Sequence, residues 1–262
     1  MKTYLLLLHG NGGARARFQL LFNYQDYFSP GYEMVVPALP GFEGRPYIYD
    51  HEDQWRPFLK ALGEVVKKKG ASVPWIVYGH GIGGSMLMEW ASRNWEIEGV
   101  QGWRPKHVIL HGCIGASLHK RWFPALMRPF WLRQWLQILV SNPKLQPVWE
   151  RKLFLHPKAI PVSLKKQFFQ DYRECAAFPY FFDMITIPWY RKVQSRIGDR
   201  PFYFLWGDQE RVVASTHLPL WKAGFPNSTF DIHNGWDHFP MLEDASTFAR
   251  KLRTIMEELD HR

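Results

Sequence analysis

Six short apolar runs recur along the chain, each closed abruptly by glycine, proline, histidine or asparagine, and this recurrence constrains the fold more than any other feature. They occupy residues 4–8, 32–36, 74–78, 107–110, 202–206 and 229–233. A short run without polar alternation fits a strand buried on both faces, and such strands belong to parallel sheets covered by helices. Helical patterns fill most of the gaps. Trp55, Phe58, Leu59, Leu62 and Val66 recur at three- and four-residue spacing within 54–69, the stripe of an amphipathic helix. Residues 85–90 are apolar enough for a buried helix, and 245–259 read as an amphipathic C-terminal one. The alternation predicts an α/β fold with a mostly parallel six-stranded sheet flanked by helices.

One region interrupts the rhythm. The stretch between 110 and 202 is far longer than a crossover requires. It is rich in Trp, Phe, Pro and Arg and carries helical patterns, for example over 164–172. We therefore expect a core domain formed by 1–112 and 197–262, with a helical cap inserted at 113–196.

Composition narrows the functional classes. Aromatic residues make up 16% of the 262 residues, with 13 Trp; such bulky, stiff side chains either fill a core or line a broad apolar pocket. The net charge of +9 could suit nucleic acid, but the cations are dispersed. The one compact run, Lys67-Lys68-Lys69 before Gly70, reads as a solvated helix end, so no nucleic-acid partner is expected. Two cysteines, Cys113 and Cys175, do not make a disulfide framework. The apolar run at 4–8 is too short for a signal peptide, and no stretch approaches the length of a membrane span, so a cytoplasmic location is expected. No His-x-x-x-His pair falls on a convincing helical face; neither a metal nor another cofactor is expected.

Three segments carry chemistry. Gly79-His80-Gly81-Ile82-Gly83-Gly84 joins a strand to a helix, and a turn that sharp needs small residues on both sides of its apex. The segment also satisfies G-x-G-x-x-G, the dinucleotide fingerprint, although it lies well into the chain rather than at the first strand. His9-Gly10-Asn11-Gly12-Gly13 ends the first strand. Asn234-Gly235-Trp236-Asp237-His238-Phe239-Pro240 follows the sixth, and Gly207-Asp208-Gln209-Glu210 follows the fifth.

Together these segments resemble the α/β-hydrolase superfamily, in its capped esterase or C–C hydrolase branch. Gly79 and Gly83 match the outer glycines of the nucleophile elbow G-x-S-x-G, which puts Gly81 where the family places its nucleophile. The resemblance implies His238 as catalytic histidine and Glu210 as its orienting acid, with Asp208 the alternative. It implies the backbone N–H groups of Asn11 and Ile82 as oxyanion donors. The chain order of elbow, acid and histidine is also the family's. Two departures are that the chain opens directly on the oxyanion strand, and that Ala38 stands where an acid usually follows the second strand.

Glycine has no side chain to attack with, so an acyl-enzyme cannot form at Gly81. Ser85 lies a helical turn further on, and Cys113 reads as a buried, inert thiol. Three readings are open: a replacement of serine, a His238–Glu210 base working without a covalent intermediate, or a non-catalytic protein that binds an apolar ligand or partner. The 121–135 segment, with Trp122, Trp131 and Trp135 among recurring arginines, reads as a pocket lid or, alternatively, a membrane-facing segment. With His80 these tryptophans are the expected pocket residues. The substrate expected is a hydrophobic or aromatic small molecule bearing an ester, thioester or scissile C–C bond. An anionic group on it could meet Arg15 or Arg17.

Overall fold

The computed structural model describes residues 2–29, 31–120 and 122–261. All six apolar runs are strands: β1 (Thr3–Leu8), β2 (Tyr32–Val35), β3 (Trp75–His80), β4 (His107–His111), β5 (Tyr203–Gly207) and β6 (Thr229–His233). They form one sheet in the order β2-β1-β3-β4-β5-β6, with every neighbouring pair parallel. The chain starts inside the sheet, steps out to β2, then crosses back over β1 to β3. Loops leaving the carboxyl ends of β1 and β3 therefore diverge, and a crevice opens between them.

Eight longer helices accompany the sheet: α1 (Arg56–Lys69), α2 (Ile82–Ser92), α3 (Phe130–Ser141), α4 (Gln146–Leu153), α5 (Val162–Arg173), α6 (Ile187–Ile197), α7 (Leu218–Gly224) and α8 (Ala245–Asp260). Strand alternation divides the core in two. Leu6, Leu8, Val77, Leu110 and Phe204 face α1, α2, α6 and α7. Leu5, Leu7, Ile76, Tyr78 and Leu205 face the α8 side chains Phe248, Leu252, Ile255 and Met256. Both faces are thus dry, which is why the strands read as unbroken apolar runs. The helix ends follow local rules: the Asp244 carboxylate accepts the Thr247 N–H at 3.3 Å to start α8, and Lys67–Lys69 occupy the last turn of α1.

The long segment between β4 and β5 holds α3–α6. Within it α3 packs on α5, and α6 packs on α2. Arg17 ties this segment to the loop after β1. Its guanidinium, 3% exposed, donates to the Gly12 carbonyl at 2.9 Å and the Phe168 carbonyl at 3.2 Å, and pairs with Asp171 at 3.3 Å. It also lies 3.5 Å from the centre of the Phe168 ring. Burial raises the Asp171 carboxyl despite the nearby cation and lowers Arg17, so the pair is held against a desolvation cost.

A row of buried histidines crosses the carboxyl end of the sheet: His9 after β1, His80 at the end of β3 and His111 at the end of β4. Burial pushes His9 down to about 4, His111 down to about 3, and His80 well below the ordinary value of 6.5. Each is neutral in the fold and free to take a proton once unfolded, so the unfolded chain binds more protons on acidification. The stability they permit is complete above pH 6.5 and declines below it. We expect the unfolding free energy from urea titrations to fall from pH 7 to about pH 5, by roughly 2 kcal/mol for each such histidine; a flat or rising profile would contradict this account. Separately, Arg17→Ala leaves Asp171 buried without its cation and should cost about 3–5 kcal/mol by urea denaturation, whereas a loss under about 1 kcal/mol would show that the tie is idle.

Candidate active site

The crevice between β1 and β3 is built from close backbone approaches. A Cβ at Gly79 would come within 2.6 Å of the Gly83 backbone, and one at Gly83 within 2.6 Å of the Leu8 carbonyl oxygen. Both positions therefore exclude any side chain. Between them, Gly81 has φ +54° and ψ −116°, a strained conformation that L-residues rarely hold. Its surroundings differ from those of its neighbours. A Cβ at Gly81 would sit 3.6 Å from Gly10 Cα and 3.8 Å from His238 Nε2, both ordinary contact distances. Space for a side chain is present where the side chain is not.

His238 and Glu210 meet across two loops. His238 Nδ1 lies 2.7 Å from Glu210 Oε2. The other carboxylate oxygen, Oε1, accepts the N–H groups of Val212 at 2.8 Å and Val213 at 2.9 Å. Burial opposes a charge on Glu210, but the electrostatic attraction and hydrogen bond of the His238 ring, with the Val213 N–H, outweigh it and hold the carboxyl below its usual value. A carboxylate on Nδ1 fixes the tautomer with the proton there and leaves Nε2 as an acceptor aimed at Gly81.

Asp208, the alternative acid, does not reach the histidine ring. It accepts the Gly235 N–H at 2.7 Å and so pins the histidine loop to the acid loop. Two further bonds close that seam, from Gln209 N–H to the Trp236 carbonyl at 3.0 Å and from Asp208 N–H to the His233 carbonyl at 3.1 Å. Arg211 and Asp237 complete it. The Arg211 guanidinium donates from Nε to the buried Asp237 carboxylate at 2.6 Å, and Asp237 Oδ1 accepts the Arg211 and His238 N–H groups at 3.0 and 2.7 Å. The residue after the acid and the residue before the histidine thus grip each other.

His80 is not a pocket residue. It lies 1% exposed beneath His238, where its Nε2–H donates to the His238 carbonyl at 2.8 Å with the rings 4.3 Å apart. Trp122, Trp131 and Trp135 do not line the pocket either; they are 75%, 59% and 58% exposed. For Trp131 and Trp135 helical phase explains this, because α3 turns Leu136 and Val140 inward and these two tryptophans outward. Arg15 is engaged with Glu43 at 3.0 Å, and Arg17 is buried in its tie, so neither waits for a ligand anion. Arg133 is buried too, donating to the Pro179 carbonyl at 3.0 Å and to Asp183 at 2.6 Å. Arg121 lies outside the described residues. Ser85 donates to the Ile114 carbonyl at 3.1 Å, and Cys113 is fully buried with its thiol pushed up by desolvation. Neither takes the place of a side chain at Gly81.

Asn11 and Ile82 form the floor of an apolar cavity of about 240 Å³. Ile82 opens α2, so its N–H has no partner within the helix. The walls come from Phe123, Leu136, Val140, Trp149, Tyr172 and Phe178, all between β4 and β5, and from Val212 beside the acid. Gly112 belongs to none of the sequence motifs, yet a Cβ there would press to 3.1 Å on the His238 ring and 3.3 Å on Glu210. Its sequence signal is a glycine directly after a strand that ends beside the elbow. Among the described residues, no group of three or more His, Cys, Asp or Glu could hold a metal ion.

Similar architectures occur in solved structures. They include Cfl2 from Burkholderia cenocepacia (14% identity, 97% of this chain and 88% of that chain, TM-score 0.74) and bromoperoxidase from Bacillus anthracis (14% identity, 98% and 92%, TM-score 0.72). The esterase RhEst1 from Rhodococcus sp. ECU1013 is also similar (16% identity, 98% and 91%, TM-score 0.70). At such identities these likenesses speak to the fold alone. No curated protein matches the sequence. The alpha/beta hydrolase family is matched over residues 5–251, nearly the whole chain. With the all-parallel sheet, the elbow glycines and the paired loops already described, the chain belongs to the alpha/beta hydrolase family.

Proposed function

We propose that the protein is a hydrolase of apolar esters or thioesters in which His238, oriented by Glu210, activates water in the open space beside Gly81. The observation that carries this reading is the position of His238 Nε2, 3.8 Å from where a residue-81 Cβ would stand. A water there would lie within reach of an imidazole acceptor whose other nitrogen is engaged by a buried carboxylate. The acyl group of the substrate occupies the cavity, and the carbonyl oxygen points to the Asn11 and Ile82 N–H groups. Water loses its proton to Nε2 as its oxygen bonds the carbonyl carbon. Collapse then expels the alkoxide or thiolate, which takes that proton back. The helices between β4 and β5 act as a cap that keeps this step dry.

The hydrogen-bonded seam around Glu210 and His238 favours this reading over a ligand-binding role. Binding needs none of the buried carboxylate, paired imidazole or clasped loops, and each costs desolvation to maintain. A carbonyl substrate explains all three.

On a panel of p-nitrophenyl esters of increasing chain length, His238→Ala should lower turnover about 10²–10⁴-fold, and it should also lower the melting temperature, because Glu210 is left buried with one oxygen unpaired. If the parent hydrolyses none of them while its affinity for apolar ligands survives His238→Ala, the protein is a binder. Gly81→Ser should install a covalent route, giving an acyl adduct by intact-mass spectrometry. It should also lower stability by about 1–3 kcal/mol, because serine must adopt the positive φ. A Gly81→Ser protein that folds but neither gains activity nor acylates would show that His238 is not set to serve position 81.

A further inference from the structure

We infer that the outer face of α3 and the segment leading into it form a docking surface for an anionic phospholipid bilayer. Eight of the thirteen exposed large apolar side chains among the described residues fall between 122 and 148. On α3, Trp131, Trp135, Ile138 and Leu139 follow i, i+4, i+7, i+8 spacing and are 40–59% exposed, a stripe of core-like chemistry turned to solvent. Trp122, 75% exposed, and Leu126, 48% exposed, extend it at its N-terminal side. A soluble surface seldom keeps so much contiguous apolar area without a partner, and tryptophan with its polar indole N–H suits the zone between headgroups and acyl chains.

Charge selects the partner. Lys120, Arg128, Lys144, Arg151 and Lys152, in the same stretch of chain, are exposed. The one acidic residue between 118 and 152 is Glu150, already paired with Lys165 at 3.1 Å. A second copy docked face to face would set these cations against their own equivalents, whereas an anionic leaflet complements them. The opposite face of α3 carries Leu136 and Val140 into the cavity wall, so one helix separates the membrane surface from the interior of the pocket. The inference stands on this surface alone and does not require that the protein cleave esters.

The test is co-sedimentation of the full chain with vesicles of phosphatidylcholine and of phosphatidylcholine mixed with phosphatidylglycerol, alongside tryptophan emission. The parent should bind the mixed vesicles with a blue shift, bind phosphatidylcholine weakly, and lose binding as salt rises. The double variant Trp131→Ala/Trp135→Ala should lose about tenfold or more in partitioning at an unchanged melting temperature, while Ile232→Ala, exposed on β6, should bind like the parent. The inference is overturned if the anionic vesicles do not bind, or if the tryptophan variant binds them undiminished. It is equally overturned if the parent self-associates in sedimentation velocity and the tryptophan variant does not, since the face would then join two copies of this chain.

Discussion

A single buried hydrogen bond, from His238 to Glu210 at 2.7 Å, sets the terms for the loops around the crevice. A carboxylate that is only 5% exposed must have every oxygen occupied. One takes the imidazole, and the other takes two backbone N–H groups that bend the chain after β5 around it. The histidine must then arrive from β6 at a fixed height, and the Arg211–Asp237 clasp with the Asp208–Gly235 bond brings it there. Gly112 is small because the pair passes over it, and His80 props the His238 carbonyl from below. Removing the pair would leave these arrangements without a purpose.

Against so complete a surround, Gly81 is a local feature. The elbow keeps the strained backbone that presents an apex residue, and its flanking glycines keep the approaches that permit the turn. The strain is still maintained by the packing of β1, β3 and α2, and the space it serves is still open toward His238. On the proposed reading, a general base beside such a space needs only water as its partner.

The fold was legible because its signals are short-range. Each strand is buried on both faces, so its run is apolar without interruption, and each ends where a loop must turn. All six strands lie within two residues of their expected bounds. The site motifs were legible for a related reason: elbow, acid and histidine sit at strand ends, where topology brings them together whatever the intervening chain does. The pocket wall was harder to read. Trp131 and Trp135 are more conspicuous than Leu136 and Val140, but a helix shows one face inward, and phase rather than size decides which. The arginines misled similarly, since Arg17 and Arg133 are buried in long-range ties to Asp171 and Asp183 that no local pattern reveals.

The account rests on His238 being a neutral imidazole with its proton on Nδ1 and a bare Nε2 facing Gly81. Long-range ¹H–¹⁵N correlation spectra of the ¹⁵N-histidine-labelled protein at neutral pH, assigned by comparison with His238→Gln, read this directly. The account predicts a protonated Nδ1 and an unprotonated Nε2 for His238. A proton on Nε2 would contradict it, because the side chain would then have nothing with which to accept a proton from water.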